Sequence, residues 1–142
     1  MANNVIVVRS GRKLEVQEYG DPAGHPVFFF HGLIGSHHQA SYVAEQAERE
    51  GLRIIAPNRP GVGRSEFVSR QSGLDAVDDI EDVASALEID ELSVIGISGG
   101  APYALAASCR LGRRVRTVTI ISGMGPIQLP GALHGMDRRR RL

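Results

Sequence analysis

A short apolar run, Leu92-Ser93-Val94-Ile95, breaks directly into Gly96-Ile97-Ser98-Gly99-Gly100, and an alanine-rich stretch from Ala101 to Leu111 follows. Few backbones accommodate that order. The run predicts a buried strand and the alanine-rich stretch a helix. Pro102 is tolerated in its first turn, where no N–H partner is lost. The bend between them is so tight that small residues are needed on both sides of Ser98. A G-x-S-x-G sequence between a strand and a helix holds its serine Oγ clear of the sheet, near the positive end of the helix. Ser98 is therefore the candidate nucleophile. The bland alternative is a glycine-rich turn whose serine merely caps the helix, and the strand and helix on either side weigh against it.

The rest of the chain supplies the scaffold such a bend needs. Val5-Ile6-Val7-Val8 and Leu14 to Tyr19 read as strands joined by a hairpin turn at Ser10-Gly11-Arg12, the second alternating apolar and polar like a half-exposed strand. Val27-Phe28-Phe29-Phe30 is continuous and apolar, as in a strand buried on both faces. A helix is expected from Ser41 to Glu50, closed by Gly51, and a strand over Arg53-Ile54-Ile55-Ala56. From Ser72 a second helix is expected, with Leu74, Val77, Ile80, Ala84 and Leu87 as its apolar stripe. Ser72 and Asp75 resemble a capping box, and Asp78 and Asp79 add negative charge near the helix start. A last strand spans Val115 to Ile121. Strands alternating with helices imply parallel pairing through right-handed crossovers. The fold class is thus α/β, a three-layer sandwich whose mostly parallel sheet carries an antiparallel N-terminal hairpin.

Two further loops follow predicted strands, at the same end of the sheet as Ser98. His31-Gly32-Leu33-Ile34-Gly35 follows the phenylalanine strand, and Gly32 lets the backbone turn the next N–H toward the Ser98 hydroxyl. The Leu33 and Gly99 N–H groups then form a candidate two-donor oxyanion hole. His31 reads as a structural imidazole bonded within its loop. Asn58-Arg59-Pro60-Gly61-Val62-Gly63-Arg64-Ser65 reads as a fixed structural turn whose arginine helps shape a pocket.

Other chemistries find little support. The 142 residues suit one domain with a real core, and 16 Lys+Arg against 16 Asp+Glu leave no field to attract nucleic acid or an acidic membrane. No apolar run approaches the ~20 residues of a membrane span, and no signal peptide is recognisable, which favours a cytoplasmic setting. The single cysteine, Cys109, reads as a small core residue and excludes an internal disulfide framework. The glycine-rich turns match neither nucleotide fingerprint, and no acid stands at ligand spacing beside His37-His38, which read as solvated rings at a helix start. No cofactor or metal is expected. The Arg138 to Arg141 run reads as a solvated tail.

Together these motifs resemble the α/β-hydrolase family. Gly20-Asp21-Pro22 followed by Val27 to Gly32 is similar to the family's third strand and oxyanion loop. Asn58 to Ser65 is similar to its D-R-P-G-x-G-x-S turn, and Gly96 to Ala106 to its nucleophile elbow and following helix. The likeness runs from the first hairpin to about Pro126. It implies Ser98 as nucleophile, Leu33 and Gly99 as oxyanion donors, and a small-molecule ester, amide or related acyl substrate.

The chain departs from the pattern at Asn58, where the family often has Asp, at Ile34, where Pro is common, and in its triad. The family order is Ser, then Asp or Glu, then His. After Ser98 the one acid is Asp137 and the one histidine His134, in reversed order. The expected organisation is residues 1–126 as the N-terminal part of a hydrolase core, ending after the sixth strand, and 127–142 as a tail resembling the start of a cap region. A serine hydrolase lacking its base and acid is one expectation; a non-catalytic remnant kept for binding or assembly is the other. The open Val115 to Ile121 edge is expected to lead to self-association strand to strand or to poor solubility, with burial by the Met124 to Leu142 tail disfavoured by Pro126 and Pro130.

Overall fold

The structure, a computed structural model, describes residues 3–69, 73–125, 129–132 and 134. Six strands form one sheet: β1 (Asn3–Val7), β2 (Lys13–Gly20), β3 (His25–Phe30), β4 (Leu52–Pro57), β5 (Leu92–Ile97) and β6 (Val115–Ile121). Their order is β1-β2-β4-β3-β5-β6. The hairpin β1–β2 is antiparallel and joins β4 antiparallel, and β4, β3, β5 and β6 run parallel. This is the mixed sheet expected from the pattern. Period-two alternation divides the side chains between two cores. Val27, Phe29, Ile54 and Ala56 face Ala47 of the short helix α1 (Ala44–Arg49). Phe28, Phe30, Ile55 and Val94 face α2 (Gly73–Ala86) and α3 (Ala101–Leu111), completing three layers.

Helix α3 can lie close to the sheet because Ala101, Ala104, Ala107 and Leu111 form its buried face. Cys109 falls on the opposite face and is exposed, not in the core. The first crossover also differs from expectation. It begins at His37 as a 3₁₀ segment (His37–Val43), capped by Ser36 Oγ accepting from the His38 N–H, and becomes α-helical at Ala44. His37 is buried there, its Nδ1 at 2.8 Å from Tyr19 Oη, so only His38 of the pair is solvated. Ser72 of the expected capping box lies outside the described residues. Leu87 lies past the end of α2 yet packs on the core. Asp79 does more than add charge near a helix start. Both its carboxylate oxygens accept from Arg12 Nη2, at 2.5 and 2.7 Å, tying the hairpin to α2.

Strand β2 is not half-exposed. Leu14 and Val16 face the α2 core, and Glu15 and Gln17 on the other face are buried as well. Glu15, 5% exposed, is anchored by the loop after β4. Its carboxylate accepts from Asn58 Nδ2 at 2.8 Å, from the Arg64 N–H at 2.8 Å and from Arg64 Nε at 2.9 Å. The other end of the Asn58 amide, Oδ1, accepts from the His37 N–H at 2.6 Å. Ser65 Oγ accepts from the Glu15 N–H and donates to the Asn58 carbonyl. Asn58 thus needs one donor and one acceptor on the same side chain, which a carboxamide has and a carboxylate lacks. An aspartate here would meet Glu15 carboxylate to carboxylate.

Strand β6 stands at the sheet edge. Among the described residues it pairs with β5 alone, and from Arg116 onward every residue of the strand is exposed. Arg116 pairs with Glu91 across the surface.

Asn58→Asp should therefore lower the unfolding free energy by roughly 2–4 kcal/mol near neutral pH, because one of two facing buried carboxylates must take up a proton. Urea midpoints of wild type and variant at pH 7.5 and pH 5 check this: the gap should narrow at the lower pH. An equal gap at both would remove the carboxylate contact as its cause.

Candidate active site

Strand β5 ends at Ile97 in extended geometry, φ −105° and ψ 129°, and the chain then reverses. Ser98 takes φ +49°, left-handed backbone that costs a non-glycine residue about 1–2 kcal/mol. Ser98–Gly100 form a 3₁₀ turn that runs straight into α3. Ser98 therefore sits at the strand–helix junction, half-buried, where the sequence pattern puts it.

The small residues around Ser98 have identifiable causes. A Cβ on Gly96 would stand 2.8 Å from the Ala104 Cβ and 2.8 Å from the Gly100 carbonyl oxygen. On Gly100 it would run into the Phe30 carbonyl oxygen. On Gly99 it would lie 3.0 Å from the Leu33 nitrogen, tighter than nearly all real contacts. The loop after β3 and the turn after β5 thus touch backbone to backbone, with Leu33 against Gly99. The Leu33 side chain is exposed, so the backbone carries its contribution here.

Each loop is braced from behind. The Ser98 carbonyl accepts from the Met124 N–H at 3.0 Å and from the Ala101 N–H. Gln39 Oε1 accepts from the Gly32 N–H at 2.7 Å. His31 is buried with both ring nitrogens engaged: Nδ1–H donates to the Gly32 carbonyl at 2.9 Å, and Nε2 accepts from the Arg59 N–H at 3.2 Å. Burial lowers its pKa to about 4; the Gly32 bond pulls the other way and the Arg59 charge adds to the lowering. Arg59 itself donates to the carbonyls of His31, Gly32, Leu33 and Gly99 and lies over the Tyr103 ring, 5.4 Å from its centroid.

No imidazole or carboxylate of the described residues hydrogen-bonds Ser98 Oγ. His25 Nε2 bonds Ser93 Oγ, His31 is closed within its loop, and His37 bonds Tyr19. Asp137 lies outside the described residues. A polar cleft of about 610 Å³, lined among others by Glu15, Tyr19, His37, His38 and Arg64, includes neither Ser98 nor Leu33. Burial lowers the pKa of His37 there, and the neighbouring His38 charge adds to it. Sequence reasoning missed Gln39, Met124 and the reach of Arg59. For Arg59 a signal existed, a lone cation between a buried strand and a Pro-Gly turn.

Known proteins share this arrangement of strands and loops. The sequence profile of the alpha/beta hydrolase fold matches residues 25–140. A 3-oxoadipate enol-lactonase of Acinetobacter baylyi is 25% identical over 123 residues, which are 87% of this chain and 46% of the relative. An esterase from Exiguobacterium antarcticum superimposes with a TM-score of 0.73 and 25% identity, over 86% of this chain and 46% of the esterase. A hydrolase from Pseudomonas aeruginosa superimposes with a TM-score of 0.80 at 15% identity, a likeness of fold, over 88% of this chain and 48% of that one. The chain thus spans about half the length of these relatives. A six-stranded mixed sheet that superimposes on these hydrolases and a profile match from β3 onward establish that this chain belongs to the alpha/beta hydrolase fold family.

Proposed function

We propose that this chain carries the nucleophile and the oxyanion hole of a serine hydrolase acting on a small-molecule ester, amide or related acyl bond. One observation carries the reading: a serine at positive φ on the end of a parallel strand, with the Leu33 nitrogen against the glycine that follows it. Similarity to a lactonase and an esterase supports the same substrate class. Ser98 Oγ attacks the acyl carbon and loses its proton as the C–O bond forms. The Leu33 and Gly99 N–H groups receive the oxyanion, each donor contributing about 3 kcal/mol in such sites. Collapse of the tetrahedral intermediate expels the leaving group, and water then releases the acyl group from Ser98.

The proton needs an acceptor, and no described histidine hydrogen-bonds Ser98 Oγ, with His25, His31 and His37 engaged elsewhere. His31 is the nearest to the motif, yet both its nitrogens are occupied and its pKa of about 4 makes it a poor base at neutral pH. Ser98 without a base is a weak nucleophile. That same observation favours a second reading, a non-catalytic member of the family kept for binding or assembly. The exposed β6 edge supports assembly: Val118, Ile120 and Ile121 are exposed, and the edge away from β5, without a strand partner among the described residues, templates pairing with a second copy.

Activity, pH dependence and association each separate these readings. With a p-nitrophenyl ester, wild type should show slow acylation with little turnover, and Ser98→Ala should remove it, since loss of a triad base costs ~10⁴-fold or more. Fast turnover requiring Ser98 would mean that a base is supplied after all. The neutral buried His31 should make stability depend on pH. The unfolded ring binds a proton below about 6.5 and the folded ring only below about 4, so stability is fully present above that window and falls as pH drops through it. The His31 share of the loss should reach roughly 3 kcal/mol at most, and His31→Asn should remove that share while the smaller contribution of buried His37 stays. Urea midpoints between pH 7.5 and 4.5 check the slope. Light scattering across a concentration series should show mass rising with concentration, and Ile120→Lys on β6 should restore the monomer; a wild-type monomer at high concentration would exclude edge pairing.

A further inference from the structure

We propose that Arg59 is a positioning residue of the oxyanion hole: its guanidinium grips the carbonyl of the Gly32–Leu33 peptide, whose N–H is the first donor. The proposal rests on the reading of Ser98, Leu33 and Gly99 given above.

The geometry is specific. Arg59 Nη2 donates to the Gly32 carbonyl at 2.5 Å and to the Leu33 carbonyl at 3.1 Å. Nη1 donates to the His31 carbonyl at 2.9 Å and to the Gly99 carbonyl at 3.4 Å. Three successive carbonyls of one loop, and one from the elbow turn, converge on a single cation. In a planar trans peptide the C=O and N–H point in opposite directions. Fixing the Gly32 carbonyl toward Arg59 therefore turns the Leu33 N–H away from it. The same carbonyl accepts from His31 Nδ1–H, so it is held by two donors. A charged donor on the carbonyl also polarises the peptide and strengthens its N–H as a donor.

Among the described residues no carboxylate pairs with Arg59, while the hairpin arginine Arg9 pairs with Glu81 and Asp82 and Arg12 with Asp79. The charge is directed at backbone carbonyls and at the Tyr103 face. Only a planar fork reaches four carbonyls at once; an ammonium keeps the charge and loses the fork. The Gly99 carbonyl is the weakest of the four contacts. It nevertheless links the loop that supplies the first donor to the turn that supplies the second, so one side chain sets their separation.

The test uses the full chain, the ester p-nitrophenyl [1-¹³C]acetate, and the variants Ser98→Ala, Arg59→Met and Arg59→Lys. Mass spectrometry follows acylation, and isotope-edited infrared reads the carbonyl stretch of the acyl group on Ser98, which falls when the oxyanion hole binds it. In wild type the stretch should lie below that of a free ester. Arg59→Met should return it toward the free-ester value and slow acylation about ten-fold or more, part of what losing a whole donor costs. Arg59→Lys keeps the charge and guards against a variant that fails to fold; it should recover the urea midpoint but not the carbonyl shift. A wild-type carbonyl stretch in Arg59→Lys, or in a folded Arg59→Met, overturns the positioning role. Absence of any acyl adduct on wild type beyond that on Ser98→Ala overturns the underlying reading instead, and the positioning role with it.

Discussion

The close approach of the β3 loop to the β5 turn is the constraint on which the rest of this structure depends. It exists because side chains are absent at Gly96, Gly99 and Gly100, each of which would otherwise drive a Cβ into backbone or into α3. Once β5 must turn within three residues, Ser98 is forced to positive φ, and the strain has to be held by its surroundings. The braces are visible: α3 begins immediately, the Met124 N–H caps the Ser98 carbonyl, and Ala101, Ala104 and Ala107 let the helix settle on the sheet. A larger residue at Ala104 would push α3 outward and relax the bend. The local geometry of one serine thus reaches into the choice of alanine nearly two turns away.

The second tier of support is polar and buried, which is unusual for a scaffold and chemically demanding. Glu15, Asn58, Ser65 and the His37 N–H form one connected set beneath the loop after β4. Such a network helps only when each member is satisfied, because an unpaired buried group costs about 1–3 kcal/mol. Its effect is to lock the turn that carries Arg59. Glycines at Gly61 and Gly63, φ +80° and +58°, then bring the backbone back to the Glu15 carboxylate. Fixing Arg59 through its own backbone N–H to His31 Nε2 closes the circuit with the loop after β3.

What is legible in the sequence depends on which constraints are local. Glycine spacing around Ser98 is local, so the bend, the helix after it and the succession of strands can all be read off. Burial of polar residues is not local. Alternation at Leu14 to Tyr19 separates two faces correctly, but says nothing of whether the second face is covered, and it is covered by the 3₁₀ segment and α1 around Tyr19 and by the loop after β4 around Glu15. For the same reason His37 reads as solvated and is buried against Tyr19, while Cys109 reads as a core residue and faces outward. Arg59 is readable as part of a fixed turn. Its four carbonyl contacts are not, because they depend on two other loops ending at the same place.

The unevenness of burial across the sheet separates the parts that form the candidate site from the parts that leave surface exposed. The face beneath α2 and α3 is sealed by a continuous core from Val8 to Leu111. On the other face α1 packs chiefly on β2 and β4, and Ile95 and Ile97 of β5 are only partly buried there. The candidate site draws on β3, β4, β5 and the start of α3, and each of these three strands is paired on both sides. Strand β6 contributes its register to β5 and little burial of its own. Ser98 touches the β6 end through the Ile97–Ile121 pairing and the Met124 N–H on its carbonyl, whereas the Leu33–Gly99 contact lies on the β3 side of β5. Coverage of that edge should change the association and stability of the protein well before it changes the distance between Leu33 and Gly99.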